Sequence, residues 1–199
     1  NVTGKPSSDS TSTKLCRIAE LAREIRGQPL ASLSHHIDLE FLKKAYRRIR
    51  KDGAHGVDGM TATEYEADLQ ENLQTLLDRA KSGSYRAPPV RRVRIPKNYG
   101  KETRAIGIPT LEDKILQKAV AMVLGAVYEE EFKDFSYGFR PRRGQHDALE
   151  RIRRGLTGMG GAWVLEVDIR SFFDALDKEL LQDLVAKGVS DGVARLLVG

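Results

Sequence analysis

The 199 residues include one cysteine, Cys16. No internal disulfide can form, and a cysteine-rich zinc site is excluded. The four histidines, His35, His36, His55 and His146, keep no metal-ligand spacing, which also argues against zinc. No apolar run approaches the roughly 20 residues that a helix needs to cross a bilayer. A Walker-type Gly-x-x-x-x-Gly-Lys-Ser/Thr is missing, so a P-loop nucleotidase has no support. A Gly-x-Ser-x-Gly elbow is missing too, and serine hydrolase chemistry goes with it. There is no internal repeat of solenoid period. The chain opens on Asn1 without a charged-then-apolar leader, so nothing reads as a secretion signal. The expectation is a soluble, cytoplasmic piece of a longer protein, of one to one and a half domains.

Hydrophobic residues make up 40% and charged residues 31%, enough apolar content for a packed core. The net charge is +5, and its distribution says more than its size. Residues 86–104 carry Arg86, Arg91, Arg92, Arg94, Lys97, Lys101 and Arg104 against Glu102 alone, a net +6. Residues 140–154 carry six arginines against Asp147 and Glu150, a net +4. The remaining chain is therefore mildly acidic at −5. Two basic stretches on an acidic body suggest a localised polyanion surface. Each stretch on its own also reads as a solvated charged face.

Residues 1–13 are polar and rich in Ser and Thr, and are expected to be a disordered tail. Leu15, Ile18, Ala19, Ala22 and Ile25 recur at helical spacing. A second helix is predicted from near Asp38, with Phe41, Leu42, Ala45, Tyr46 and Ile49 on one face. Its basic end (Arg47, Arg48, Arg50, Lys51) suits the negative pole of the helix dipole. Three glycines in Gly53-Ala54-His55-Gly56-Val57-Asp58-Gly59 mark a loop. Thr61 and Glu64 form a capping box. The next helix carries Tyr65, Leu69, Leu73, Leu76 and Leu77 and ends near Gly83.

After Pro88-Pro89 the pattern becomes a hairpin: Val90 to Ile95, a turn at Asn98-Tyr99-Gly100, and Arg104 to Ile108. A long helix from Leu111 to Phe132 and another from Gly144 to Leu156 follow. Trp163 to Ile169 reads as a strand, and two short helices are predicted from Asp177. Helices interrupted by hairpin and strand give an α+β class.

Two places could carry chemistry. In a Trp163 strand, Val164, Glu166 and Asp168 share one face, and Asp168 ends a run expected to be largely buried. A buried carboxylate must be paired, hydrogen-bonded or bound to metal, and oxygen ligands suit Mg²⁺. The alternative is that Asp168 caps the next turn. Lys97 and Arg104 flank the hairpin turn and could converge on a phosphate, or they could be ordinary solubilising charges.

The blocks Gly56-Val57-Asp58-Gly59-Met60, Ser84-Tyr85-Arg86-Ala87-Pro88-Pro89-Val90-Arg91-Arg92-Val93 and Ile95-Pro96-Lys97 resemble the N-terminal half of group II intron reverse transcriptases (maturases). So do Gly107-Ile108-Pro109-Thr110, Glu112-Asp113-Lys114, Tyr137-Gly138-Phe139-Arg140-Pro141 and Asp168-Ile169-Arg170-Ser171-Phe172-Phe173-Asp174. The blocks keep family order over roughly residues 30–199, and ordered blocks are far more specific than one motif.

The resemblance implies a right-hand polymerase fold: a helical N-terminal extension over residues 14–84, fingers over 85–160 and the start of a palm over 161–199. It implies an RNA-directed DNA polymerase that uses Mg²⁺, an RNA template or intron, a DNA primer and dNTPs. Asp168 would be catalytic, the first of three aspartates that hold two Mg²⁺ ions, with Ile169 beside it at the metal. Lys97 and Arg104 would meet the triphosphate, and the Phe172-Phe173 pair would reject a 2′-OH. Arg91, Arg92, Arg94, Arg140, Arg142 and Arg143 would track nucleic-acid backbone.

There are departures from the family pattern. Arg104-Ala105-Ile106-Gly107 replaces the usual Arg-Pro-Leu-Gly, His55 stands where Pro is usual, and Lys178 stands where His often follows. The Tyr-Ala-Asp-Asp block is absent from the 199 residues, so this stretch alone is expected not to polymerise. A palm cut short here would also leave the Trp163 strand with an exposed apolar edge. Two other readings use the same surfaces: a non-catalytic RNA-binding module that assists intron folding, and a related reverse transcriptase outside introns.

Overall fold

The computed structural model describes residues 10–25, 27–97, 102–160 and 163–191, with positions 97 and 102 described by backbone alone. The expected disordered tail falls mostly outside these residues. So do the hairpin turn at 98–101 and the end of the chain, where the second of the two C-terminal helices was expected.

The N-terminal half is helical. Helix α1 (Thr11–Glu24) starts at Ser10, whose hydroxyl accepts from the Thr13 N–H. Helix α2 (Leu39–Arg48) starts at Asp38, whose carboxylate accepts from the Phe41 N–H at 2.9 Å. The Thr61–Glu64 capping box forms as the sequence predicts. The helix it opens is broken in two, however: α3 (Ala62–Ala67) and α4 (Leu69–Lys81). Asp68 leaves helical geometry at φ −122° and ψ 39°. The Tyr65 carbonyl is satisfied by the Asn72 side-chain amide at 3.0 Å, so the break strands no buried acceptor there. Gly83, at φ +70°, turns the chain just past α4.

Strands β1 (Arg91–Lys97) and β2 (Glu102–Ile108) form an antiparallel hairpin, with Arg91 opposite Ile108 and Ile95 opposite Arg104. Thr110 then caps α5 (Leu111–Tyr128), the hub of the fold. Helix α5 packs against α1 and α2, and α2 packs against α4. Ile115, Leu116, Ala119, Val120, Met122, Val123 and Val127 of α5 are all buried, as suits a helix apolar around most of its girth. All of these but Val120 make one core with Ile18, Phe41, Leu42, Leu73 and Leu76. Among the described residues, no helix is long and apolar enough to cross a membrane.

Helix α6 (Gln145–Gly158) buries none of its residues, and Leu149 and Ile152 face water. Helices α7 (Phe172–Ala175) and α8 (Lys178–Gly188) complete the described part. The end of α8 is held by the segment before α2. The Leu30 N–H donates to the Gly188 carbonyl and the Ser190 N–H to the Leu30 carbonyl, both at 2.9 Å, and Val189 is buried.

The Trp163 strand does not form. Residues 163–169 carry no ladder and are exposed, Leu165 at 86%. The hairpin is the only sheet among the described residues, and a strand needs a neighbour for its N–H and C=O groups. The expectation of burial is therefore corrected. The exposed apolar surface anticipated for a strand short of neighbours is present, without the strand.

Candidate functional site

Three parts of the chain meet at the base of the hairpin. Side chains alternate along a strand, so the register puts Arg91, Val93 and Ile95 on one face with Arg104, Ile106 and Ile108. Arg91, Val93, Ile106 and Ile108 are partly buried, which marks this face as the one turned toward the body. Arg92 and Arg94 lie on the opposite, exposed face with Ala105 and Gly107. Gly107 lies close under Val90: a β-carbon there would stand 2.8 Å from the valine Cγ2.

The glycine loop closes on this base. The Arg91 Nε–H donates to the His55 carbonyl at 2.9 Å, and the Lys114 ammonium donates to the Ala54 carbonyl at 2.7 Å. Gly56 is buried against Thr110. Sequence reasoning marked this segment as a loop by its glycines and missed its destination. Gly56 was the available signal, since a buried loop glycine often marks a close backbone approach. Beside it, burial pushes the Asp113 carboxyl up from its ordinary value, although the Tyr85 hydroxyl and the Gln117 amide donate to it.

The six arginines singled out from sequence divide into distinct groups. Arg92 and Arg94 are exposed and have no partner among the described residues, and the same holds for Arg104 and Arg142. Arg91 is tied to the glycine loop. Arg143 donates to the Asp134 carbonyl and lies 5.6 Å from the Tyr137 ring centre. Arg140 is the correction. It is buried, pairs with Glu129 at 2.7 Å, and donates to the Lys133 and Ser136 carbonyls at 2.8 and 3.0 Å. Its fork is spent on the 129–136 turn and offers phosphate little. On α6, Arg153 and Arg154 both grip Glu150, and these hydrogen bonds hold that carboxyl at about 2.

Asp168 is exposed, with no hydrogen bond or ion pair among the described residues. Phe172 and Phe173 stand edge to face at 5.3 Å, both exposed, just after Ser171 at φ +51°. Ile169 is exposed as well. Lys97 has a described backbone only. The register places position 97 on the Arg104 face, across from position 102.

Among the described residues, no three His, Cys, Asp or Glu side chains gather as a metal group. A lone exposed carboxylate does not match the donor set of a two-metal centre, so the described residues do not by themselves fit one.

Residues 95–190 match the family described as reverse transcriptase (RNA-dependent DNA polymerase). The chain is 42% identical over 158 residues to Protein YkfC of Escherichia coli (strain K12), covering 76% of this chain and 41% of that protein. It is 36% identical over 147 residues to Group II intron-encoded protein LtrA of Lactococcus lactis subsp. cremoris, covering 74% of this chain and 24% of LtrA. It is 32% identical over 92 residues to Nuclear intron maturase 2, mitochondrial, of Arabidopsis thaliana, covering 44% and 12%. The chain thus spans less than half the length of these relatives. The matched stretch runs from the hairpin through Asp168 to the end of α8, and with intron-encoded proteins among its relatives the chain is similar, over this part, to reverse transcriptases of the group II intron type.

Proposed function

We propose that this chain is the N-terminal part of an RNA-directed DNA polymerase that works on, and binds, a group II intron RNA. In this reading residues 14–84 form a helical N-terminal extension, residues 85–160 the fingers and residues 161–199 the start of the palm. The observation that carries it is the hairpin at the head of the matched region. It holds Arg92, Arg94 and Arg104 exposed and unpaired among the described residues, and its base is fixed through Arg91 and the glycine loop.

Unpaired arginines on a hairpin suit phosphate recognition, because the planar guanidinium fork is pre-organised and less is lost per hydrogen bond formed. The faces divide the work. Arg104, with position 97, turns to the face that would take the incoming dNTP. Arg92 and Arg94, and Arg142 further on, turn outward to RNA template or DNA primer backbone. Asp168 would supply one carboxylate for Mg²⁺, and the Phe172-Phe173 pair would lie against the nucleotide sugar. Other carboxylates are needed to complete a metal centre, so residues 1–199 alone do not polymerise.

The exposure of Asp168 favours one second reading, a non-catalytic RNA-binding module. One experiment separates the two. In a longer polypeptide that contains this chain, Asp168→Asn abolishes primer extension on an RNA template with Mg²⁺ and leaves RNA affinity unchanged. Undiminished synthesis by that variant would overturn the site assignment. DNA synthesis by residues 1–199 alone would overturn the statement that they are inactive.

A further inference from the structure

Helix α5 is buried around most of its circumference. Its wet stripe is Lys114, Gln117, Lys118, Ala121 and Gly125. This stripe faces the C-terminal end of α2, and the two enclose a trough of about 410 Å³ lined by Ile49, Arg50, Gly53, Lys114, Lys118 and Ala121. We infer that this trough binds the phosphate backbone of a polynucleotide strand, through residues other than the exposed arginines of the hairpin. The inference rests on the reading of the chain as a nucleic-acid polymerase segment.

Three observations carry it. The first is a like-charge pair that the chain compensates only at Lys114, whose ammonium donates to the Ala54 carbonyl. Lys114 and Lys118 are four residues apart on α5, where like charges repel. The acids of the first turn are engaged elsewhere. Glu112 pairs with Arg79 at 2.6 Å, and Asp113 is buried against Tyr85 and Gln117. Lys118 has no partner among the described residues. A polyanion removes this repulsion.

The second is the floor. Gly53 and Ala121 are small, and a β-carbon on Gly125, one turn beyond Ala121, would meet nothing within 4 Å. A backbone can therefore come close to the lysines without meeting bulky side chains.

The third is continuity. Arg47 and Arg48, in the last turn of α2, are exposed and have no partner among the described residues. They precede Arg50 of the trough by three and two residues along the chain. Asp52 is the acid at its edge and is held by Arg50 at 2.6 and 2.9 Å. A phosphate would compete with Asp52 for that fork. A trough of about 410 Å³ with Arg50, Lys114 and Lys118 along its lining has room for more than one phosphate group, which suits a polymer better than a single small anion.

The test uses the full chain and a short single-stranded RNA of mixed sequence, with DNA of the same sequence in parallel, followed by fluorescence anisotropy over a salt series. Loss of one phosphate contact on a single strand lowers the slope of log K against log salt by about 0.7, which is about fivefold in affinity at 0.1 M salt. Lys118→Gln is expected to show both changes on RNA and DNA alike. Lys118→Arg is expected to show neither. Circular dichroism melting checks that each variant folds. Should Lys118→Gln fail that check, Arg50→Gln carries the same expectation.

Arg94→Gln distinguishes the two proposals. If it weakens binding while a folded Lys118→Gln leaves affinity and slope unchanged, the trough assignment is overturned and the hairpin reading stands. If neither variant changes binding, both fall. A loss confined to one base composition, or polyglutamate binding that depends on Lys118 while RNA binding does not, also overturns the trough.

Discussion

Gly56 sits so close to Thr110 that a β-carbon built on it would stand 2.6 Å from the Thr110 Cα and 2.8 Å from its nitrogen. Both contacts are to backbone, and Thr110 caps the central helix of the core. Neither side can yield by a simple rotamer change. Gly56→Ala is therefore expected to cost about 2–3 kcal/mol, the upper range for overpacking, read from urea unfolding. It is also expected to free the loop from Arg91. Gly59→Ala, three residues on, serves as the comparison. Gly59 has open space around it but a φ of +72°, so the expected cost is the left-handed penalty alone, about 1–2 kcal/mol. Equal stability of Gly56→Ala and the parent chain would refute the close packing.

Asp38 does two jobs that substitution can separate. It caps α2 and it pairs with Lys14 of α1. Burial would raise its carboxyl, but the Lys14 ammonium and the Phe41 N–H outweigh burial and hold it below its ordinary value. A native value below the unfolded one means stability that is present above about pH 3.9 and lost as pH falls through the native value. Asp38→Asn keeps a capping oxygen and removes the ion pair, so this part of the acid dependence should vanish with little change in helix content. Asp38→Ala should lose the cap as well, about 1 kcal/mol. Asp113 has the opposite sign, because burial raises it. Its contribution is present at low pH and is lost as pH rises through its native value, so Asp113→Asn should flatten that fall. Unfolding midpoints across pH for the three variants check both signs.

Local signals were legible in the sequence wherever neighbours along the chain decide the structure. The α2 core face, the Thr61–Glu64 box, the hairpin and the Thr110-capped helix follow from spacing and capping chemistry. Long-range placement was less legible. In the string from 53 to 59, Gly56 signals at most a close backbone approach and does not name Arg91 and Lys114 as the donors to the loop carbonyls. The break at Asp68 depends on a side-chain amide four residues later. Arg140 reads as one of six similar cations, and only the fold separates it from Arg142. An apolar run such as Val164 to Ile169 predicts a strand only if a partner strand lies beside it, and periodicity carries no information about that.

Arg140 and Arg142 should respond differently to the same change. Arg140 anchors the turn from Glu129 to Ser136 through a carboxylate and two carbonyls, and its guanidinium lies 5.0 Å from the Phe132 ring centre. Arg140→Lys can replace only part of this, because an ammonium lacks the planar fork. It should lower the thermal midpoint clearly while leaving the salt slope of RNA binding unchanged. Arg142→Gln, at an exposed and unpaired position among the described residues, should leave the unfolding free energy within about 0.5 kcal/mol of the parent. It should also reduce the salt slope by about 0.7 if that arginine meets a phosphate. The reverse pattern would return Arg140 to the nucleic-acid surface.

The exposed run from Trp163 to Ile169 gives the sharpest contrast between sequence expectation and structure. Buried in a strand, Leu165 and Val167 could not accept a charge without severe loss. Exposed as they are, Leu165→Lys and Val167→Lys should each change unfolding free energy by no more than about 0.5 kcal/mol, while the core substitution Leu116→Ala should cost about 2–5 kcal/mol. The two lysine variants should also lower self-association of the chain, because they interrupt a contiguous apolar surface. Trp163 is the single tryptophan and is fully exposed, so it reports on the segment directly. Its emission should lie at the wavelength of free indole in water and be quenched by acrylamide at nearly the free-indole rate. In a longer polypeptide that supplies neighbouring strands, the emission should shift to the blue and quenching should slow. A blue-shifted, protected Trp163 in the 199-residue chain, together with a Leu165→Lys penalty as large as that of Leu116→Ala, would restore the buried strand.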